Sequence, residues 1–175
     1  KFVKRFFIMK TKTQKIVMAS LLAALCCVAT MIIRIPSPLK GYMNLGDCVV
    51  LIAGWLLSPA YAFLAAGIGS ALADMVSGYM VYIPATFVIK GLMAVIAYYG
   101  YKFLHRKNNS LPARIISGLV AEVVMVLGYF IFEGFLYGFV PSMANIPANS
   151  VQGIAGLAIG VVLMKIFKRN TSVFE

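Results

Sequence analysis

Apolar runs long enough to cross a bilayer, broken by short polar or proline-bearing segments, dominate this chain and leave few folds open to it. In lipid every backbone N–H and C=O must be satisfied internally, so such runs fold as helices. Composition points the same way. The chain has 175 residues, 62% hydrophobic and 12% charged, where a soluble domain carries roughly 25% charged residues. Too few polar side chains exist to cover a water-facing surface. The expected fold is an all-α membrane protein, a single domain over 16–168 with a basic N-terminal segment 1–15 and a tail 169–175.

The breaks divide the domain into six spans. The first runs from Ile16 to Ile33 and stops at Arg34-Ile35-Pro36-Ser37-Pro38. A loop through Lys40, Gly41 and Asn44 leads to a second from Gly46 to Leu57, ended by Ser58-Pro59. The third covers Ala60–Gly78, the fourth Ile83–Leu104, the fifth Ala113–Phe139 and the sixth Asn149–Phe167. A polar loop, His105 to Ser110, follows the fourth. A loop from Val140 to Ala148, with Pro141 and Pro147, follows the fifth. The second span is short: twelve residues at 1.5 Å give about 18 Å, less than a hydrocarbon core of about 30 Å. Charge decides whether it counts. With six spans the N-terminal, 102–114 and 165–169 basic clusters share one side, and only Arg34 and Lys40 lie opposite. Basic loops stay cytoplasmic, so both termini are expected inside. The run from Ile16 has no small-residue cleavage site after it and reads as a retained helix rather than a signal peptide. Met9 is a candidate start, which makes residues 1–8 a candidate extension or tag remnant.

The net charge of +11 follows from those clusters and not from a basic face, which argues against nucleic-acid binding. Cys26, Cys27 and Cys48 sit among apolar residues without metal-ligand spacing and read as packing residues. Small residues recur at every fourth position: Ala19 and Ala23, then Ala62, Ala66 and Ser70, then Gly156 and Gly160. This spacing lets helices approach closely, either within the bundle or against another membrane subunit, the latter chiefly at Ala19 and Ala23.

Charges inside the spans carry the functional signal. Asp47, Asp74, Lys90, Glu122 and Glu133 lie in or at the edge of apolar segments, where a charge costs about 3 kcal/mol or more without a partner or a cavity. Lys90 lies about 9 Å inward from Pro84, and Glu133 a similar depth from Phe139. Asp74 and Asp47 also fall in the outer half. Polar stripes support a pocket there. Tyr82, Thr86 and Lys90 follow i, i+4, i+8 on the fourth span. Glu122, Tyr129 and Glu133 fall within about 40° on the fifth. Asn149, Gln152 and Gly156 share a face of the sixth, and Tyr137, Asn145 and Asn44 are placed to close the top. Apolar walls with a few polar groups suit a small molecule. The competing structural reading pairs Lys90 with Asp74 or Asp47, and treats Glu122 as an acid hydrogen-bonded between helices. Glu133 is the better ligand candidate, since no cation is reserved for it.

Several chemistries are excluded. No phosphate-binding G-x-x-x-x-G-K-[ST] loop is present, so the chain is not itself an ATPase. The single histidine, His105, sits in a basic loop, which removes Ser-His proteolysis and histidine metal sites. No metal, cofactor or enzymatic activity is expected.

Three stretches carry a resemblance: Asn44-Leu45-Gly46-Asp47, Gly69-Ser70-Ala71-Leu72-Ala73-Asp74, and Pro84-Ala85-Thr86-Phe87-Val88-Ile89-Lys90-Gly91, with Ala19/Ala23 beside them. Over about 15–168 the chain resembles the substrate-binding membrane subunit, or S component, of energy-coupling factor (ECF) vitamin transporters, in particular the subgroup serving hydroxymethylpyrimidine, pyridoxine-type and related ring compounds. The resemblance implies a six-helix protein of the bacterial cytoplasmic membrane that binds a vitamin near the outer face through its first loop and last three helices. It implies docking, through the first three helices and the alanine pair, onto a transmembrane scaffold driven by two cytoplasmic ATPases. Tyr82, Tyr129 and Tyr137 would stack on a flat ring, Glu133 would meet an amine-like edge, and Asn149 and Gln152 would read substituents. Riboflavin would need more room, and a carboxylated substrate would lean on Lys90. A solitary ion-coupled carrier using Glu133 and Lys90, and a purely structural membrane subunit, are the alternatives.

Overall fold

A computed structural model describes residues 11–37, 41–105 and 110–172. The sequence readings on residues 1–10, on Lys40, on the loop positions 106–109 and on the tail 173–175 lie outside the described residues. Helix α1 spans Lys12–Ile32, α2 Gly46–Leu56, α3 Pro59–Val76, α4 Ile83–Leu104, α5 Ser110–Tyr137, the single turn α6 Phe139–Ser142, and α7 Ile146–Ser172. Five segments are long and apolar enough to cross a membrane, and α2 is the shorter sixth.

Local chemistry explains the helix ends. Thr11 caps α1 with a reciprocal capping box: its hydroxyl accepts from Gln14 N, and Gln14 accepts from Thr11 N. Prolines sit in the first turns of α3 and α4, where the missing N–H would be unpaired in any case. The same rule corrects two expected boundaries. The fifth and sixth spans, expected from Ala113 and Asn149, start earlier: α5 begins at Ser110 ahead of Pro112, and α7 at Ile146 ahead of Pro147. The expected loop Val140–Ala148 is therefore mostly helical turns: α6, a 3-10 turn at Met143–Asn145, and the start of α7. Gly138, at φ +93°, makes the break between α5 and α6 that a residue with a side chain rarely adopts.

The short α2 is the axis of the bundle. Every residue from Gly46 to Trp55 is buried, because α1, α3, α4, α5 and α7 all pack around it. Eleven residues reach only about 16 Å, but α2 faces protein rather than lipid, so it need not match the hydrocarbon thickness. Small residues permit this crowding. A side chain at Gly54 would strike the carbonyl of Ala94 on α4, and one at Gly156 would meet Asp47. Ala62, Ala66 and Ser70 are likewise buried, so that stripe serves packing inside the bundle. Ala19 and Ala23 are half-buried where α1 meets α3, with the Ala23 carbonyl against Gly69. Large apolar side chains such as Val17, Leu21, Leu64, Leu127 and Val162 point outward, as lipid requires.

Between α1 and α2 the chain forms a two-stranded antiparallel hairpin, β1 Ile35–Pro36 with β2 Tyr42–Met43, pairing Ile35 with Met43 and Pro36 with Tyr42. The sequence reading had a plain loop here. The hairpin lies over the bundle end where α1, α3 and α5 finish and α2, α4 and α7 begin, opposite His105 and Lys165.

Candidate functional site

At that end lies a narrow cavity of about 30 Å³. Asn44, Tyr82, Thr86, Lys90, Tyr129, Glu133, Asn149 and Gln152, all named from sequence, line it together. Three of the expected residues stand elsewhere. Asp47 is fully buried behind Lys90, and Asn145 is buried behind Glu133. Tyr137 is half-buried beside Tyr82, off the lining. Glu122 faces a different part of the bundle. The sequence reading missed Thr30, Ser37, Gly41, Tyr42, Ser70 and Tyr79 as lining residues; Asp74, counted there among the charges converging on the outer half but not among the site residues, also lines the cavity. Ser70 and Asp74 are one helical turn apart on α3, a stripe visible in sequence but read as packing and ion pairing. Tyr42 and Ser37 come from the hairpin, whose pairing leaves no periodic signal in so short a segment.

Two bonded clusters build the walls. In the first, Lys90 Nζ pairs with Asp47 Oδ1, and Gln152 Nε2 donates to Asp47 Oδ2 at 2.6 Å. Gln152 Oε1 in turn accepts from Asn44 N at 2.9 Å, and Asn44 Oδ1 accepts from Gly46 N at 2.9 Å, which shapes the entry to α2. Asp47 stands in the first turn of α2, where the positive end of the helix dipole favours an anion. The structural reading of Lys90 thus selects Asp47 as its partner, not Asp74. In the second cluster, Glu133 Oε1 accepts from Asn145 Nδ2 at 2.8 Å and from Tyr82 Oη at 3.2 Å. Thr86 and Tyr129 share a hydrogen bond of 3.0 Å across α4 and α5, and Lys90 Nζ lies 5.5 Å from the Tyr129 ring centre.

Tyr42 ties the hairpin to α3: its Oη donates to Asp74 Oδ1 at 2.6 Å, and its ring lies 4.6 Å from that of Tyr79. Burial, reinforced by that hydrogen bond, pushes the Tyr42 phenol well above its ordinary range, so it remains a donor. Three buried oxygens on the lining are left without a hydrogen-bond partner: Glu133 Oε2, Asp74 Oδ2 and Thr30 Oγ1. Unpaired buried acceptors are rare because each costs desolvation that nothing offsets. The cavity thus presents accepting oxygens from α1, α3 and α5, aromatic rings from Tyr42, Tyr79, Tyr82 and Tyr129, and a lysine whose charge is already matched. Among the described residues no group of His, Cys, Asp and Glu is arranged to hold a metal.

Comparison with known proteins gives four findings. The chain matches, over residues 10–169, the family model described as the ECF-type riboflavin transporter, S component. It is 38% identical over 145 residues to an uncharacterized protein in the gap 3′ region of Pyrococcus woesei, covering 82% of this chain and 94% of that protein. It is 28% identical over 137 residues to the thiamine precursor transporter HmpT of Lactococcus lactis subsp. cremoris strain MG1363, covering 78% and 75%. A solved S component of a bacterial ECF transporter superposes with a TM-score of 0.67 at 21% identity, covering 94% of this chain and 99% of that one, which shows a shared fold.

Proposed function

We propose, from the premise that this chain belongs to the ECF-type riboflavin transporter S component family, that its hairpin-covered cavity takes a single-ring vitamin or vitamin precursor, a hydroxymethylpyrimidine or a B6 vitamer. Membership makes the chain a substrate-binding transport subunit of the cell membrane, multi-pass and without enzymatic activity. The choice of substrate rests on the unpaired oxygens of Glu133 and Asp74. They call for a guest that donates at least two hydrogen bonds, as an exocyclic amine and a hydroxyl on one ring would do. The tyrosines supply flat apolar faces for that ring. A carboxylated guest is disfavoured, because Lys90 is already paired with Asp47. The thiamine precursor specificity in the name of the Lactococcus relative points to a small ring as well. Riboflavin, with three fused rings and a sugar-alcohol tail, would need more room than a single ring.

The missing nucleotide-binding loop supports an assembly in which a scaffold subunit and two ATPases drive release on the cytoplasmic side. Copurification of the chain with such partners is the expected result. Uptake that survives without any ATPase but collapses with the proton gradient would favour a solitary carrier instead. The deciding experiment for the substrate is mass spectrometry of small molecules carried through detergent purification, followed by titration with hydroxymethylpyrimidine, pyridoxine and riboflavin. We expect one of the first two to bind and riboflavin to bind weakly. Tight riboflavin binding would overturn the single-ring reading.

A further inference from the structure

Apart from the cavity of Glu133 and Asp74, a second hollow of about 260 Å³ lies between α5 and α7. Its walls are apolar: Leu119, Val123 and Leu127 from α5, Ile154 and Leu157 from α7. Leu119, Val123, Leu127 and Ile154 are exposed, so in a membrane the mouth opens sideways onto lipid. Glu122 breaks the pattern. It lines the same hollow, it is 5% exposed, and neither carboxyl oxygen has a hydrogen-bond partner. The interhelical hydrogen bond expected of it from sequence is not made. Asp47 and Lys90 act on it only through space, being bonded to each other. The hydroxyl of Ser150, on the same wall, is committed to the Ile146 carbonyl at 2.7 Å. Gly153 makes the room: a Cβ there would stand 3.0 Å from Glu122 Oε2 and 3.1 Å from Glu122 Cβ.

An acid buried without a partner beside lipid is costly, and such residues mark sites of function. Here the acid lines an apolar-walled hollow that lipid-soluble molecules reach and water-soluble ones do not. We propose that the hollow binds a membrane-dissolved amphiphile, an apolar chain bearing one hydroxyl or amine that donates its hydrogen bond to Glu122. The apolar walls supply contact with the chain, and Glu122 selects for the donor. The site is separate from the substrate cavity and does not depend on which vitamin that cavity takes.

The test uses the full chain in lipid nanodiscs and two photoreactive probes, a diazirine-bearing long-chain alcohol and the matching hydrocarbon without the hydroxyl. Mapped by mass spectrometry, the alcohol is expected to label Leu119, Val123 and Ile154 in excess over lipid-facing Val17 and Leu21 of α1, and unlabelled long-chain alcohol should compete. The hydrocarbon should label all of these alike. Glu122→Leu should lose the excess. Ile154→Trp, at an exposed position that leaves the acid in place, should lose it too by filling the mouth. Equal labelling by the two probes, or an excess that survives Ile154→Trp in folded protein, would overturn the proposal. If Glu122→Leu does not fold, Ile154→Trp and the probe comparison decide alone.

Discussion

Asp47 is held at once by a lysine, a side-chain amide and the start of a helix, while Glu133, at similar depth, is half satisfied. The contrast separates a structural acid from a binding one. Removing one member of a buried ion pair leaves an uncompensated charge, so Lys90→Met is expected to destabilise the protein by about 3–5 kcal/mol. Thermal unfolding in detergent should show this, with part of the loss regained in Lys90→Met/Asp47→Leu. At Glu133 the expectation is different. Gln keeps an oxygen for Tyr82 and Asn145, but turns the unpaired acceptor Oε2 into a donor. Glu133→Gln should therefore weaken ligand binding by about 1.5–3 kcal/mol with the melting temperature little changed. Calorimetric titration reads the affinity and thermal unfolding the melting temperature, and unaltered affinity would remove Glu133 from the site. Residues of this kind were legible as intramembrane charges. Which acid paired with Lys90 was not, because Asp47 and Asp74 look alike in a sequence and differ only in what their neighbours present.

At the scale of elements, α2 shows how a segment too short to span can still belong to a membrane protein. Its capacity to sit among five neighbours depends on residues without bulk at each crossing. Gly54→Val would drive a branched side chain into the backbone of α4 at Ala94. Backbone cannot yield as a flexible side chain can, so a cost of about 3 kcal/mol or more is expected. The measurement is the yield of monodisperse protein and its melting temperature, and a wild-type value would show that α2 and α4 can separate freely. Proline and glycine marked the breaks between helices well. They marked the starts of α5 and α7 less well, since a proline in a first turn and one before a helix read identically along the chain. The hairpin of Ile35–Pro36 and Tyr42–Met43 left no trace, two residues per strand being too few for an alternating pattern.

Across the whole molecule, the cavity and the described basic residues Lys102, Arg114 and Lys165 lie at opposite ends of the bundle, which suits capture on one side and release on the other. Orientation is testable with a membrane-impermeant thiol reagent. Cysteine at exposed Met80 should be labelled in intact cells, and cysteine at exposed His105 only in inverted vesicles. Labelling of both from one side would contradict the six-span topology. Docking to a scaffold belongs to the same scale. Ala19→Leu/Ala23→Leu is expected to spare ligand binding and abolish transport. Because both alanines are half-buried beside α3, a parallel loss of binding would assign them to internal packing instead.

The chain's pattern of apolar runs and basic breaks determined a helical membrane protein with both ends on the same side. That pattern is a statement about solvent: each stretch declares which medium it tolerates, and the backbone's need for internal hydrogen bonds does the rest. The polar stripes also named much of the cavity wall. Only the tertiary structure decided that Asp47 and Asn145 stand behind that wall, that Asp74 and the hairpin tyrosine belong to it, and that Glu122 faces lipid-side space of its own. Helical spacing gives the angle of a side chain about its own axis. How neighbouring helices are rotated and how closely they approach is settled by packing of glycine against carbonyl and ring against ring, which no single segment encodes.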